Sequence, residues 1–237
     1  MQPQNLSKIS FTQSQQIAAI LRKMFAPQIK EFLIYEDQNY PIYFQKLINL
    51  NQNDYLYGYE REGKIWGFAH FKIINDELFL NNIAIHSEFR SSGLGSKLLR
   101  IAVPELAKRF RCKSFSLDVF KKNTTALTWY KKMKMMQISE KNWYNISDLI
   151  QTSESFDNSI FEIEKDLNGF KGLYFESRKI ATIINSSLIF TDHEYLNLLT
   201  KSKSIFSKGC FISNVEFNYP LLDKSLRLYV ELDKIKL

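Results

Sequence analysis

Apolar positions recur at helical spacing near the start of the chain, where Ile17, Ile20, Leu21, Met24 and Phe25 share one face. Thr12-Gln13-Ser14-Gln15 ahead of them resembles a capping box, and Pro27 is the expected stop. A second helix is predicted from about Asn39 to Leu50, with Tyr43, Phe44, Leu47 and Ile48 inward. The period then shortens to two. Tyr55 to Glu60 and Ile65 to Phe71 read as strands joined by a tight Glu62-Gly63-Lys64 turn. The apolar run Leu78 to Ile85 predicts a third strand, followed by a glycine-bearing loop and a helix with Leu94, Leu98, Leu99 and Ala102 on one face. Pro104 lies inside that helix, removes one hydrogen bond and is expected to kink or end it about three turns in. Phe115 to Val119 alternates as a half-buried strand, and Asn123 or Thr124 is a natural N-cap for the helix that follows.

Further on, Asn158 to Glu164 reads as a strand, with a break at Leu167-Asn168-Gly169. Strands are expected at Gly172 to Glu176 and Ile180 to Phe190, a helix near His193 to Thr200, and strands at Cys210 to Ser213 and Leu226 to Glu231. The boundary is therefore expected after Asp166: residues 1–166 form one domain and residues 167–237 an α+β extension. That extension carries no motif. It is open to reading as a wall of the functional site, a structural or homodimer-forming element, or a degenerate second copy of the first domain, although no second glycine loop supports the last.

Composition narrows the classes. No run approaches the ~18 apolar residues of a membrane span, and the start lacks a basic region followed by an apolar one, so neither membrane span nor signal peptide is expected. The two cysteines, Cys112 and Cys210, lack metal-ligand spacing, and the three histidines are isolated; no metal site is expected and the cytoplasm is the default. The net charge of +7 is scattered, apart from Lys121-Lys122 and Lys131-Lys132-Lys134, so no nucleic-acid partner is expected. Such a charge suits a solvated helix face or the attraction of an anionic cofactor.

Candidate chemistry concentrates in Arg90-Ser91-Ser92-Gly93-Leu94-Gly95-Ser96, between the third strand and its helix. The chain has only eight glycines, and two of them stand here one residue apart. Glycine lets backbone N–H groups turn inward, and a helix start leaves N–H groups free to face an anion. The spacing fits neither the Walker loop nor the three-glycine dinucleotide fingerprint, since Leu98 stands at the third glycine position.

What remains, Arg-x-x-Gly-x-Gly after a strand, resembles the pyrophosphate loop of the GNAT family of acyl-CoA N-acyltransferases. Asn123-Thr124-Thr125-Ala126-Leu127-Thr128-Trp129-Tyr130 resembles the family's Asn-x-x-Ala-x-x-Phe/Tyr-Tyr, while Lys134 and Met135 stand where Gly-Phe is usual. With the hairpin before the loop, the resemblance covers about residues 6–165. It implies a GNAT fold of α/β (α+β) class, a central mixed, mostly antiparallel sheet flanked by helices. It also implies acetyl-CoA as co-substrate.

By the same resemblance Arg90 and the N–H groups around Ser91, Gly93, Leu94, Gly95 and Ser96 would take the pyrophosphate. Ile83 and Ile85 would offer backbone groups to the pantetheine arm, and Asn123 would meet the cofactor from the next helix start. Lys97 would add charge near the phosphates. Tyr130 is the expected general acid, since a phenol can donate to a departing thiolate. Asp118 occupies the position of a catalytic Glu in the ribosomal-protein alanine N-acetyltransferases, a GNAT branch that Leu80-Asn81-Asn82-Ile83-Ala84-Ile85 also resembles; it is one methylene shorter. In another branch the base falls at Phe79, which cannot serve, and His70 and His86 are weaker candidates. Phe32, Tyr35 and Tyr40 are candidates for acceptor contact, and Phe79 and Trp129 for packing near the thioester.

The implied reaction is direct acetyl transfer to a primary amine of a small molecule. Transfer to a protein or peptide amine, and a non-catalytic acyl-CoA-binding module, are the alternatives.

Overall fold

The computed structural model describes residues 2–50, 53–150, 161–196 and 206–237. Its elements are β1 (Gln4–Asn5), α1 (Phe11–Arg22), α2 (Pro27–Lys30), α3 (Tyr40–Leu50), β2 (Asp54–Arg61), β3 (Lys64–Ile74), β4 (Glu77–Ile85), α4 (Leu94–Phe110), β5 (Ser114–Phe120), α5 (Thr124–Lys132), β6 (Met136–Asn145), α6 (Ser147–Ile150), β7 (Phe161–Lys165), β8 (Lys171–Phe175), β9 (Arg178–Ile184), β10 (Ser187–Phe190), β11 (Lys208–Ser213) and β12 (Leu221–Glu231). They divide into two compact units: residues 1–24, 41–139 and 226–237, and residues 25–40 and 140–225. This division differs from a boundary after Asp166. The apolar faces set it: Leu226, Leu228 and Val230 join the core of the first unit, whereas Tyr144, Ile146 and Phe161 lie in a core of the second.

Strands in the first unit run in the order β1-β2-β3-β4-β5-β12. Pairing is antiparallel from β1 to β4 and parallel between β4 and β5, whose connection contains α4. The core gathers Tyr57, Tyr59, Ala69, Phe71, Leu78, Leu80, Phe115 and Leu117 from the sheet and Leu98, Leu99, Ala102, Val103 and Leu106 from α4. That burial carries α4 through Pro104 to Phe110, so the expected early end does not occur. One lost hydrogen bond is outweighed by apolar groups worth about 1.5–3 kcal/mol each when fully buried.

Local signals shift by small amounts. The cap of α1 is Ser10, not Thr12: Ser10 Oγ accepts from the Gln13 N–H at 3.2 Å, and Gln13 Oε1 accepts from the Ser10 N–H at 2.8 Å. The helix ends at Arg22, and Pro27 opens α2 rather than closing α1. Asn123 is the N-cap of α5, its side chain accepting from the Ala126 N–H at 3.2 Å. At the other end of α5, Lys134 takes a left-handed φ of 64° and Met135 is buried. The departure from Gly-Phe thus keeps the backbone turn and the apolar plug, at a cost of about 1–2 kcal/mol for a left-handed non-glycine residue.

In the second unit the order is β6-β11-β10-β9-β8-β7. Neighbours from β7 to β10 are antiparallel, β10 and β11 are parallel, and β11 is antiparallel to β6. The long strand expected at Ile180 to Phe190 is instead a hairpin, turning at Asn185 with φ 53°. His193–Tyr195 forms a 3₁₀ turn, while residues 197–200 and 158–160 of the expected helix and strand lie outside the described residues. Strand β6 went unread because its apolar Met136 and Ile138 are exposed and give no core-facing pattern.

Candidate active site

Four parallel rungs join β4 to β5, from Glu77 beside Ser114 to Leu80 beside Leu117; beyond them both strands continue unpaired with one another. On β4 the change coincides with a bulge. His70 pairs with Asn82 and Phe71 with Leu80, so Asn81 is an extra residue. Past the bulge, the His86 N–H reaches Trp66 O on β3 at 2.8 Å. Backbone groups alternate sides along a strand, so Ile83 and Ile85 turn theirs to the edge that β5 has left. There Ile85 O accepts from Arg90 Nε at 3.2 Å.

The glycine loop lies at the end of this edge. Ser91 and Gly93 both adopt left-handed backbone, with φ of 63° and 78°, and Gly93 is the N-cap of α4. A serine in that conformation is strained, and such strain clusters at ligand clamps. Gly93 has open space where a Cβ would stand, so its need for glycine is conformational. Lys97 finds Gly93 O at 3.0 Å, leaving the N–H groups of Leu94, Gly95 and Ser96 without intrahelical acceptors. Trp129 pins this helix start from α5: its Nε1 donates to Ser96 Oγ at 3.2 Å, and its ring lies 3.4 Å from where a Gly95 Cβ would be. Trp129 therefore packs against the loop helix.

Tyr130, next along α5, is 5% exposed and belongs to the core cluster that holds Leu80, Leu117 and Val119. Its hydroxyl makes no hydrogen bond among the described residues. Burial pushes its phenol well above the usual value, so the O–H keeps its proton. Asp118 lies on the opposite face of β5, and both of its oxygens are engaged: Arg227 Nε approaches Oδ1 at 2.5 Å and Nη2 approaches Oδ2 at 3.0 Å. Arg227 also stands 3.8 Å from Glu77 Oε1 and 4.7 Å from the Phe79 ring centroid, and the Ser116 hydroxyl donates to Glu77 Oε1. This fork was not anticipated. Arg227 belongs to β12, 109 residues from Asp118, and nothing local in Leu226-Arg227-Leu228 announces such a partner.

The remaining candidates separate. Phe79 lies beneath Arg227. His86 sits 3.7 Å from Glu88 and edge-on to Trp66. His70 is buried, with Nε2 2.6 Å from Asp54 Oδ1 and Nδ1 3.0 Å from Asn81 Nδ2. Phe32 packs with Ile184, Ile189 and Cys210 in the second unit, and Tyr35 stacks on Phe25 and meets Tyr40 edge-on.

The family profile described as Acetyltransferase (GNAT) family matches residues 17–135. A Bacillus subtilis strain 168 protein, provisionally named a ribosomal protein bS18-alanine N-acetyltransferase, is 37% identical over 86 residues, 36% of this chain and 56% of its own length. The spermine/spermidine N(1)-acetyltransferase of the same strain is 28% identical over 79 residues, 30% of this chain and 52% of its own length. The chain thus spans little more than half the length of these curated relatives. A solved structure from Thermoplasma acidophilum, provisionally named an acetyltransferase, shares the fold at TM-score 0.60 and 11% identity, over 98% of this chain and all of its own.

Proposed function

This chain belongs to the GNAT acetyltransferase family, and from that premise we propose that it moves an acetyl group from acetyl-CoA to the primary amine of a small molecule by direct transfer. One observation carries the reading: β4 and β5 part after Leu80 and Leu117, leaving the Ile83 backbone and the Ile85 N–H without a strand partner at that edge, beside a loop of free N–H groups, with Ile85 O held by Arg90. Acetyl-CoA supplies a thioester whose acyl carbon is open to attack by an amine. The Ile83 and Ile85 backbone accommodates its arm as an added strand would. Arg90 and the N–H groups around Ser91, Gly93, Leu94, Gly95 and Ser96 hold the pyrophosphate, and Asn123 flanks it from the start of α5.

Holding both reactants in place is worth roughly several powers of ten in rate. Tyr130 is the general acid. Its raised pKa keeps it a neutral donor at working pH, able to hydrogen-bond and protonate the leaving sulfur. Arg227 fixes the carboxylate of Asp118, and the remaining lone pairs of that carboxylate accept from the amine and draw off its proton.

A peptide acceptor is the second reading, favoured by 37% identity to the provisionally named bS18-alanine N-acetyltransferase. Thiol release from acetyl-CoA, followed with spermidine and with an alanine-terminated peptide, separates the two. Faster turnover of spermidine is expected; turnover of the peptide alone establishes the second reading. Retained acetyl-CoA binding with no transfer to a broad panel of amines would favour an acyl-CoA-binding module instead.

A further inference from the structure

We infer that Asn81 positions the acceptor amine, and that the buried Asp54–His70 pair determines which atom of the Asn81 amide faces it; this deepens the acetyl-transfer reading and rests on it. Asn81 is the bulge residue of β4 and the first position beyond the last rung to β5. Bulges re-aim side chains, and this one stands where the strands part.

The two faces of the sheet are distinct here. Leu78, Leu80, Phe115, Leu117 and Val119 point into the core, while Glu77, Phe79, Ser116 and Asp118 meet Arg227 or one another on the other face. Ala69 and Phe71 of β3 are core residues, so His70 between them points to that second face, where the Phe44 ring meets it edge-on. Asn81 bonds His70 and therefore lies on the same face as Asp118.

Hydrogen-bond logic then fixes the amide. A carboxylate only accepts, so the 2.6 Å approach of Asp54 Oδ1 requires the proton on His70 Nε2. A neutral ring leaves Nδ1 as acceptor, and Asn81 must offer its Nδ2–H across the 3.0 Å gap. Asn81 Oδ1 takes no other hydrogen bond among the described residues and is left to accept. Oδ1 and the Asp118 carboxylate are thus two acceptors on one face at the opening of the cleft, suited to the N–H donors of a primary amine.

The charged neighbours of His70 are Asp54 and Lys72, with Lys72 Nζ 3.7 Å from Asp54 Oδ1. At 1% exposure, burial outweighs the pull of Asp54 and keeps the ring neutral. Protonation would make Nδ1 a donor, turn the Asn81 amide over and aim its NH₂ at the amine. His70 acts through Asn81 and is a positioning residue.

The test uses the ¹⁵N-labelled full chain, titrated with spermidine and with the alanine-terminated peptide, with and without saturating CoA. The Asn81 side-chain cross-peaks, assigned by their loss in Asn81→Ala (or Asn81→Ser if that variant fails to fold), are expected to move with at least one amine. The same variant should bind that amine at least tenfold more weakly, with CoA affinity within twofold of wild type. Wild-type amine affinity should fall as His70 titrates, and His70→Gln should remove that pH step. Cross-peaks indifferent to both amines, or equal losses of CoA and amine affinity, would overturn the inference. Failure to bind CoA overturns the acetyl-transfer reading instead, and the CoA-free titration still decides the role of Asn81.

Discussion

The two units follow one strand plan and treat its critical pair in opposite ways. Each has an antiparallel run leading to a parallel pair, β4 with β5 in the first and β10 with β11 in the second. The first pair separates after four rungs, while the second stays paired to Phe190, the last residue of β10. The fillers explain the contrast. Leu188, Phe190 and Phe211 are sealed in the second core, whereas the corresponding stretch of β4 holds the Asn81 bulge and runs into a left-handed loop. Topology sets where a cleft can form, and side chains decide whether it opens.

The comparison breaks most easily at its closed end. Phe190→Ala empties a fully buried ring site and should cost about 3–5 kcal/mol in denaturant unfolding; a loss below about 1 kcal/mol would mean the second pair is not held by its fillers. At the open end, Arg90→Ala/Gly93→Val forces a β-branched residue into a φ of 78° and should weaken acetyl-CoA binding at least a hundredfold by calorimetry. The same titration of wild type should give one site per chain, and two sites would refute the closed pair. Tyr130→Phe should lower kcat at least tenfold with acetyl-CoA affinity unchanged; equal rates would remove the hydroxyl from the mechanism.

The smallest effect is a slope. His70 is held below its ordinary pKa of 6.5 by burial, so its contribution to stability is full above pH 6.5 and lost as pH falls through the folded value. Unfolding free energy should decline on that acid side, less so in His70→Leu. An unaltered slope would place the titration elsewhere.

The backbone frame of the candidate site was legible because its signals are local: Gly93 at the start of α4 and the Asn123 cap of α5 stand within short motifs whose residue types answer to backbone needs. The Asp118–Arg227 fork and the Asp54–His70–Asn81 chain were not, since each links strands far apart in sequence. Of the two outcomes expected at Pro104, a kink or an end, the end does not occur, because a local rule about one hydrogen bond yields to burial along the whole of α4. The unit boundary was obscured because residues 226–237, far along the chain, return to the first unit.

That last arrangement has a consequence in time. Strand β5 gains its outer neighbour only when residues 226–231 have been made, about a hundred residues after β5 itself. At roughly 5–20 residues per second, the interval on the ribosome is on the order of 5–20 s. Throughout it the first unit carries a bare strand edge, open to wrong partners. Slow elongation through the second unit would therefore lower the yield of the first.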